Sequence, residues 1–117
     1  DALESIIRLS GDRPGARLLV MHGGGEQIVR WVYQTEGNPN ILFDTSLSLL
    51  HAQQRRFQEL VPKLIADSAN MSFGTDWPDY TLADYESSLL SIGQEVGSSD
   101  LMERFLWKNA AKFLHLQ

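Results

Sequence analysis

Three short apolar runs in this 117-residue chain each end in a side chain that can do chemistry. His22 follows the first, Asp44 with Thr45 and Ser46 the second, and Asp76 the third. A neutral imidazole either binds a metal through one nitrogen or moves a proton near neutral pH. A carboxylate is a hard oxygen donor, and hydroxyls beside it either line a pocket or serve turns and caps. The chain has 0 Cys, so disulfides, thiol nucleophiles, iron–sulfur clusters and thiolate zinc sites are excluded together. Any metal must therefore use His or carboxylate. Plainer roles compete at each position: hydrogen-bonded structure for His22, turn or cap chemistry for Asp44, Thr45 and Ser46, and a turn before Trp77-Pro78 for Asp76. The other two histidines read as peripheral, His51 on the surface and His115 in the last helical turn, where it answers the helix dipole.

The elements that must position these residues are legible as patterns. Arg17-Leu18-Leu19-Val20-Met21-His22 lies between a turn-rich stretch and Gly23-Gly24-Gly25, and reads as a strand. Asn40-Ile41-Leu42-Phe43-Asp44-Thr45-Ser46 repeats the pattern, and Asn70-Met71-Ser72-Phe73-Gly74-Thr75-Asp76 is a weaker third copy. Helical spacing joins Ile28, Val29, Val32 and Tyr33, and then Phe57, Leu60, Val61, Leu64 and Ile65, with Pro62 expected to kink or restart the second helix. Thr81 and Asp84 form a capping box ahead of the stripe Leu82, Tyr85, Leu89, Ile92 and Val96. A last helix is predicted from Ser99, with the pairs Leu101-Met102, Phe105-Leu106 and Phe113-Leu114 facing inward, and Leu3, Ile6 and Ile7 suggest a leading one.

The predicted order is α-βα-βα-βα-α. Strands joined by crossovers of that length run parallel, because only such a connection returns the chain to the same end of the sheet. His22, Asp44 to Ser46, and Asp76 then meet at the C-terminal end of the strands, where α/β folds bind their ligands.

Composition narrows the partners. Ten Lys and Arg against 15 Asp and Glu give a net charge of −5, and no basic run is present to follow a phosphate backbone, so nucleic acid is not expected. No apolar run approaches the roughly 20 residues of a membrane span, and the expected location is cytoplasmic, without membrane association. Ser46 has no Gly-x-Ser-x-Gly elbow, which argues against a serine hydrolase. The three glycines after His22 lack the phosphate-loop and dinucleotide patterns and read as room for close backbone approach. Arg55 and Arg56 read as a solvated surface. Trp31, Trp77 and Trp107 read as packing residues, with Trp77 able to wall a pocket beside Asp76.

Taken together, Met21-His22-Gly23-Gly24-Gly25, Ile41-Leu42-Phe43-Asp44-Thr45-Ser46, Phe73-Gly74-Thr75-Asp76-Trp77-Pro78 and Asn109-Ala110-Ala111-Lys112-Phe113-Leu114 resemble the C-terminal part of the amidohydrolase-type metal-dependent hydrolases. The branch is the one that includes aminocarboxymuconate-semialdehyde decarboxylase and related lactonases and hydratases. The resemblance implies an incomplete (β/α)₈ TIM barrel, with the three strands as its sixth, seventh and eighth. It implies that Asp76 binds a divalent metal, in the first instance zinc, and that His22 is a general acid/base or itself a metal ligand. Asp44, Ser46 and Trp77 are the expected substrate-binding residues, and the substrate is a small carbonyl or carboxylate compound.

The family's first-strand His-x-His pair and fifth-strand His have no counterpart here, and a barrel needs about 250 residues. The isolated chain is therefore expected to bind metal weakly and to be inactive. The competing expectation is a non-catalytic α/β module that binds a partner or pairs with a second copy, a homo-oligomer formed through exposed strand edges.

Overall fold

A computed structural model describes residues 2–13, 15–21 and 28–116. His22 and Gly23-Gly24-Gly25 lie outside the described residues. The elements follow the expected order: α1 (Ala2–Gly11), β1 (Leu18–Val20), α2 (Val29–Gln34), β2 (Ile41–Asp44), α3 (Arg55–Asp67), β3 (Met71–Ser72), α4 (Glu86–Val96), α5 (Ser99–Glu103) and α6 (Asn109–Phe113). The strands form one parallel sheet in the order β1-β2-β3. Leu18 stands beside Ile41 and Val20 beside Phe43; on the other side, Phe43 stands beside Met71 and Asp44 beside Ser72. The sheet is small and does not close into a barrel.

The central strand explains why the sheet holds. All four residues of β2 are buried, as a parallel strand covered on both faces requires. Phe43 is fully buried and joins Ile41 in the main core with Trp31 and Val32 of α2, Phe57, Val61, Leu64 and Ile65 of α3, and Tyr85, Ile92 and Phe105. Leu42 and Phe113 are buried outside that cluster, where α6 lies against β2.

Pro62 sits inside α3, which continues through it from Arg55 to Asp67 without restarting. A proline removes one backbone hydrogen bond, but Phe57, Val61, Leu64 and Ile65 on either side of it anchor this face to the core. Some expectations fail in one common way. Tyr33, Leu82, Leu106 and Leu114 were each assigned to an inward stripe or pair, and all are exposed. A helix seats only the part of its apolar arc that meets a neighbour. Trp31 is buried as expected, whereas Trp77 and Trp107 are exposed. Ile6 is exposed while Ile7 is buried. His51 is exposed, and His115 lies just beyond α6 with a positive φ of 58° instead of within its last turn.

The outer edge of β3 is occupied. Asn70 and Ser72 turn their carbonyls toward β2, accepting from the N–H groups of Phe43 (2.8 Å) and Thr45 (3.0 Å). The Met71 carbonyl and the Phe73 N–H therefore face outward. The Asn109 side-chain amide donates to the first at 2.9 Å, and the second donates to the Phe105 carbonyl at 2.9 Å. Phe105 belongs to a π-helical turn, Arg104–Lys108, that joins α5 to α6. The expectation of open edges on both sides of the sheet is corrected on this side by the final helix.

Candidate functional site

The segment after β2 forms the inner part of the site. Asp44, the last residue of the strand, is 7% exposed, Thr45 is fully buried and Ser46 is 3% exposed. Thr45 donates both its N–H (3.0 Å) and its hydroxyl (2.9 Å) to the Ser72 carbonyl, which locks the exit of β2 onto β3. The chain then turns through Leu47, whose φ is 67°, and the Leu47 carbonyl accepts from the N–H groups of Leu50 and His51. The Gln58 amide of α3 donates to the carbonyls of Ser48 (3.0 Å) and His51 (2.8 Å), holding this turn from outside.

The segment after β3 forms the outer part. Gly74 packs against the first segment so closely that a Cβ there would collide with Ser46 Oγ and lie 2.5 Å from Asp44 Oδ1. Only a residue without a side chain allows this approach. Asp76, half-buried, has a φ of 62°, and its carbonyl accepts from the N–H groups of Asp79 (3.1 Å) and Tyr80 (3.4 Å). The Trp77–Pro78 peptide is cis, and Trp77 is 78% exposed.

These segments share one cleft of about 370 Å³. Asp44, Ser46 and Asp76 line it together with Trp77, and Leu42, Phe73 and Phe113 supply apolar wall. Four of the five expected site residues are thus brought together at the C-terminal end of the strands, and His22 lies outside the described residues. Sequence reasoning missed Tyr85, except as a core residue. It is fully buried, with its ring edge-on to Phe73 at 5.1 Å. Its hydroxyl accepts from the Leu47 N–H at 3.1 Å and donates to the Thr75 carbonyl at 3.1 Å. Burial pushes this hydroxyl above its ordinary value of 10.0; the Leu47 hydrogen bond works against the rise, and the Asp76 and Asp44 carboxylates add to it.

Carboxylate and hydroxyl oxygens are the donors that a hard divalent ion takes. Among the described residues no three His, Asp or Glu side chains gather as a metal centre, and a catalytic zinc site has three protein ligands. No protein-family model, curated protein or solved structure matches the chain.

Proposed function

We propose that the chain is the C-terminal part of a divalent-metal-dependent hydrolase or decarboxylase of amidohydrolase type, contributing the last three βα units of a (β/α)₈ barrel and acting on a small carbonyl or carboxylate compound. One observation carries the reading: Asp44, Ser46 and Asp76 line a single cleft at the C-terminal end of a parallel sheet. In this reading Asp76 holds the metal, zinc in the first instance, and His22 transfers or positions a proton or joins the ligands. Asp44 and Ser46 orient the substrate, and Trp77 walls the mouth. A bound divalent ion supplies an activated water, whose pKa falls to about 7, or a polarised carbonyl. The Asp44 carboxylate, 7% exposed, is the group of the cleft whose charge interactions are least screened by water. A cytoplasmic location goes with the reading, in keeping with the absence of Cys.

Determining the coding sequence upstream of Asp1 tests this directly. The expected result is a continuing frame with one strand ending in His-x-His and a later one ending in His. A start codon or a secretion-type cleavage site immediately before Asp1 overturns it.

A second reading, a self-associating non-catalytic module, has its own support. β1 ends the sheet with Leu19 and Met21 exposed, whereas the edge of β3 is taken. A dimer on gel filtration that is lost in Leu19→Pro favours it, and a compact monomer excludes it.

A further inference from the structure

Two residues of the cleft segments, Leu47 and Asp76, hold left-handed backbone conformations, at φ of 67° and 62°. Residues other than glycine seldom adopt such a conformation, and a bulky one such as Leu47 keeps it only when its surroundings enforce it. Both sit where Tyr85 makes contact: the Leu47 N–H donates to the Tyr85 hydroxyl, and that hydroxyl donates to the carbonyl of Thr75, the residue before Asp76. The hydroxyl's donor and acceptor roles are thereby divided between the two segments. The ring cannot drift, since it is fully buried and edge-on to Phe73, itself just beyond β3.

We propose that Tyr85 is the positioning residue of this site, its single buried hydroxyl setting the segment after β2 against the segment after β3 so that Asp44, Ser46 and Asp76 face one cleft. The assignment goes beyond the metalloenzyme reading and stands whether or not the cleft holds a metal, because it concerns how the side chains are held.

Tyr85→Phe in the full 117-residue chain, followed by NMR, provides the test. Phenylalanine keeps the ring and its packing and removes only the hydroxyl. The expected result is a folded protein in which amide exchange at Leu47 speeds up roughly tenfold relative to the core amides of Phe43 and Ile65, as a local opening requires. The Asp76 backbone resonances move as well. A residue that merely fills space would lower protection everywhere by one factor, and that outcome, or an unchanged Leu47 and Asp76, overturns the assignment. Phe73→Leu is the packing control, expected to lower global stability with the ratio of Leu47 to core exchange unchanged. If Tyr85→Phe fails to fold, the unmodified chain decides: a slowly exchanging Tyr85 hydroxyl proton with a cross-peak to the Leu47 amide proton supports the proposal, and its absence overturns it.

Discussion

The two halves of the cleft are built on opposite principles. After β2, Asp44, Thr45 and Ser46 are buried, and Thr45 closes two hydrogen bonds onto a single β3 carbonyl. After β3, Asp76 is half-buried and Trp77 stands in solvent, on a strand only two residues long. The difference follows from the place of each strand in the sheet. A central parallel strand is covered on both faces, so polar groups at its end must find partners inside the protein. A short end strand leaves its exit at the rim, where Asp76 stays half-buried and Trp77 reaches solvent while the backbone is held by Phe105, Tyr85 and its own turn.

The largest effect that can break this comparison is on stability. Phe43→Ala, which empties a fully buried position in β2, is expected to cost about 3–5 kcal/mol, read by urea or guanidinium unfolding. Trp77→Ala should cost under about 0.5 kcal/mol, as for most exposed positions. Near-equal losses for the two would show that the wall after β3 is as firmly held as the one after β2.

A smaller effect tests the seam between the halves. Gly74→Ala is expected to destabilise by about 1–3 kcal/mol, the usual range for overpacking, because the new methyl meets Ser46 Oγ and Asp44 Oδ1. The resonances of Asp44 and Ser46 should shift with it. A neutral substitution, with neither residue disturbed, would mean that the two segments stand further apart in solution.

Local signals made much of this legible. The capping box needs only residues three apart, and Thr81 and Asp84 form it: the Thr81 N–H donates to Asp84 Oδ2 at 2.7 Å. The helix predicted from Ser99 begins there, with Ser98 as its cap, its hydroxyl accepting from the Leu101 N–H. The parallel order followed from crossover length, and that order placed Asp44, Ser46 and Asp76 at one end. What escaped depends on distant partners. Phe105 and Leu106 are equivalent in pattern, and only the seat of Phe105 against Phe73 decides which is buried. The π turn that lets Phe105 close the β3 edge, and the Tyr85 hydroxyl 38 residues from Leu47, have no periodic signature. Exposure of Trp77 likewise reflects the rim position of its segment.

The smallest expected effect lies at the far end of the sheet. Tyr33 of α2 donates its hydroxyl to Asp67 Oδ2 at 2.8 Å, and Lys63 Nζ lies 3.1 Å from the same oxygen. The Tyr33 hydrogen bond, then that from Lys63, hold the Asp67 carboxyl below its usual 3.8. Partial burial and then Asp67 hold the Tyr33 hydroxyl above 10.0. A lowered carboxyl favours the folded state above the unfolded value near 3.8, and that contribution fades as pH falls through the lower folded value. A raised tyrosine favours it below 10.0 and fades as pH rises through the higher folded value. Tyr33→Phe should therefore move the Asp67 midpoint upward while leaving it below 3.8, since Lys63 remains, with little change in unfolding at pH 7 because the cluster is exposed. An NMR titration of the Asp67 carboxyl checks the direction, and an unmoved midpoint would mean that the bond does not form in solution. Resonances of Leu47 and Asp76 should stay in place. α2 and α3 end where β2 and β3 begin, so movement at the cleft would mean that the two ends of the sheet are coupled, and the contrast between its walls could no longer be assigned to local burial alone.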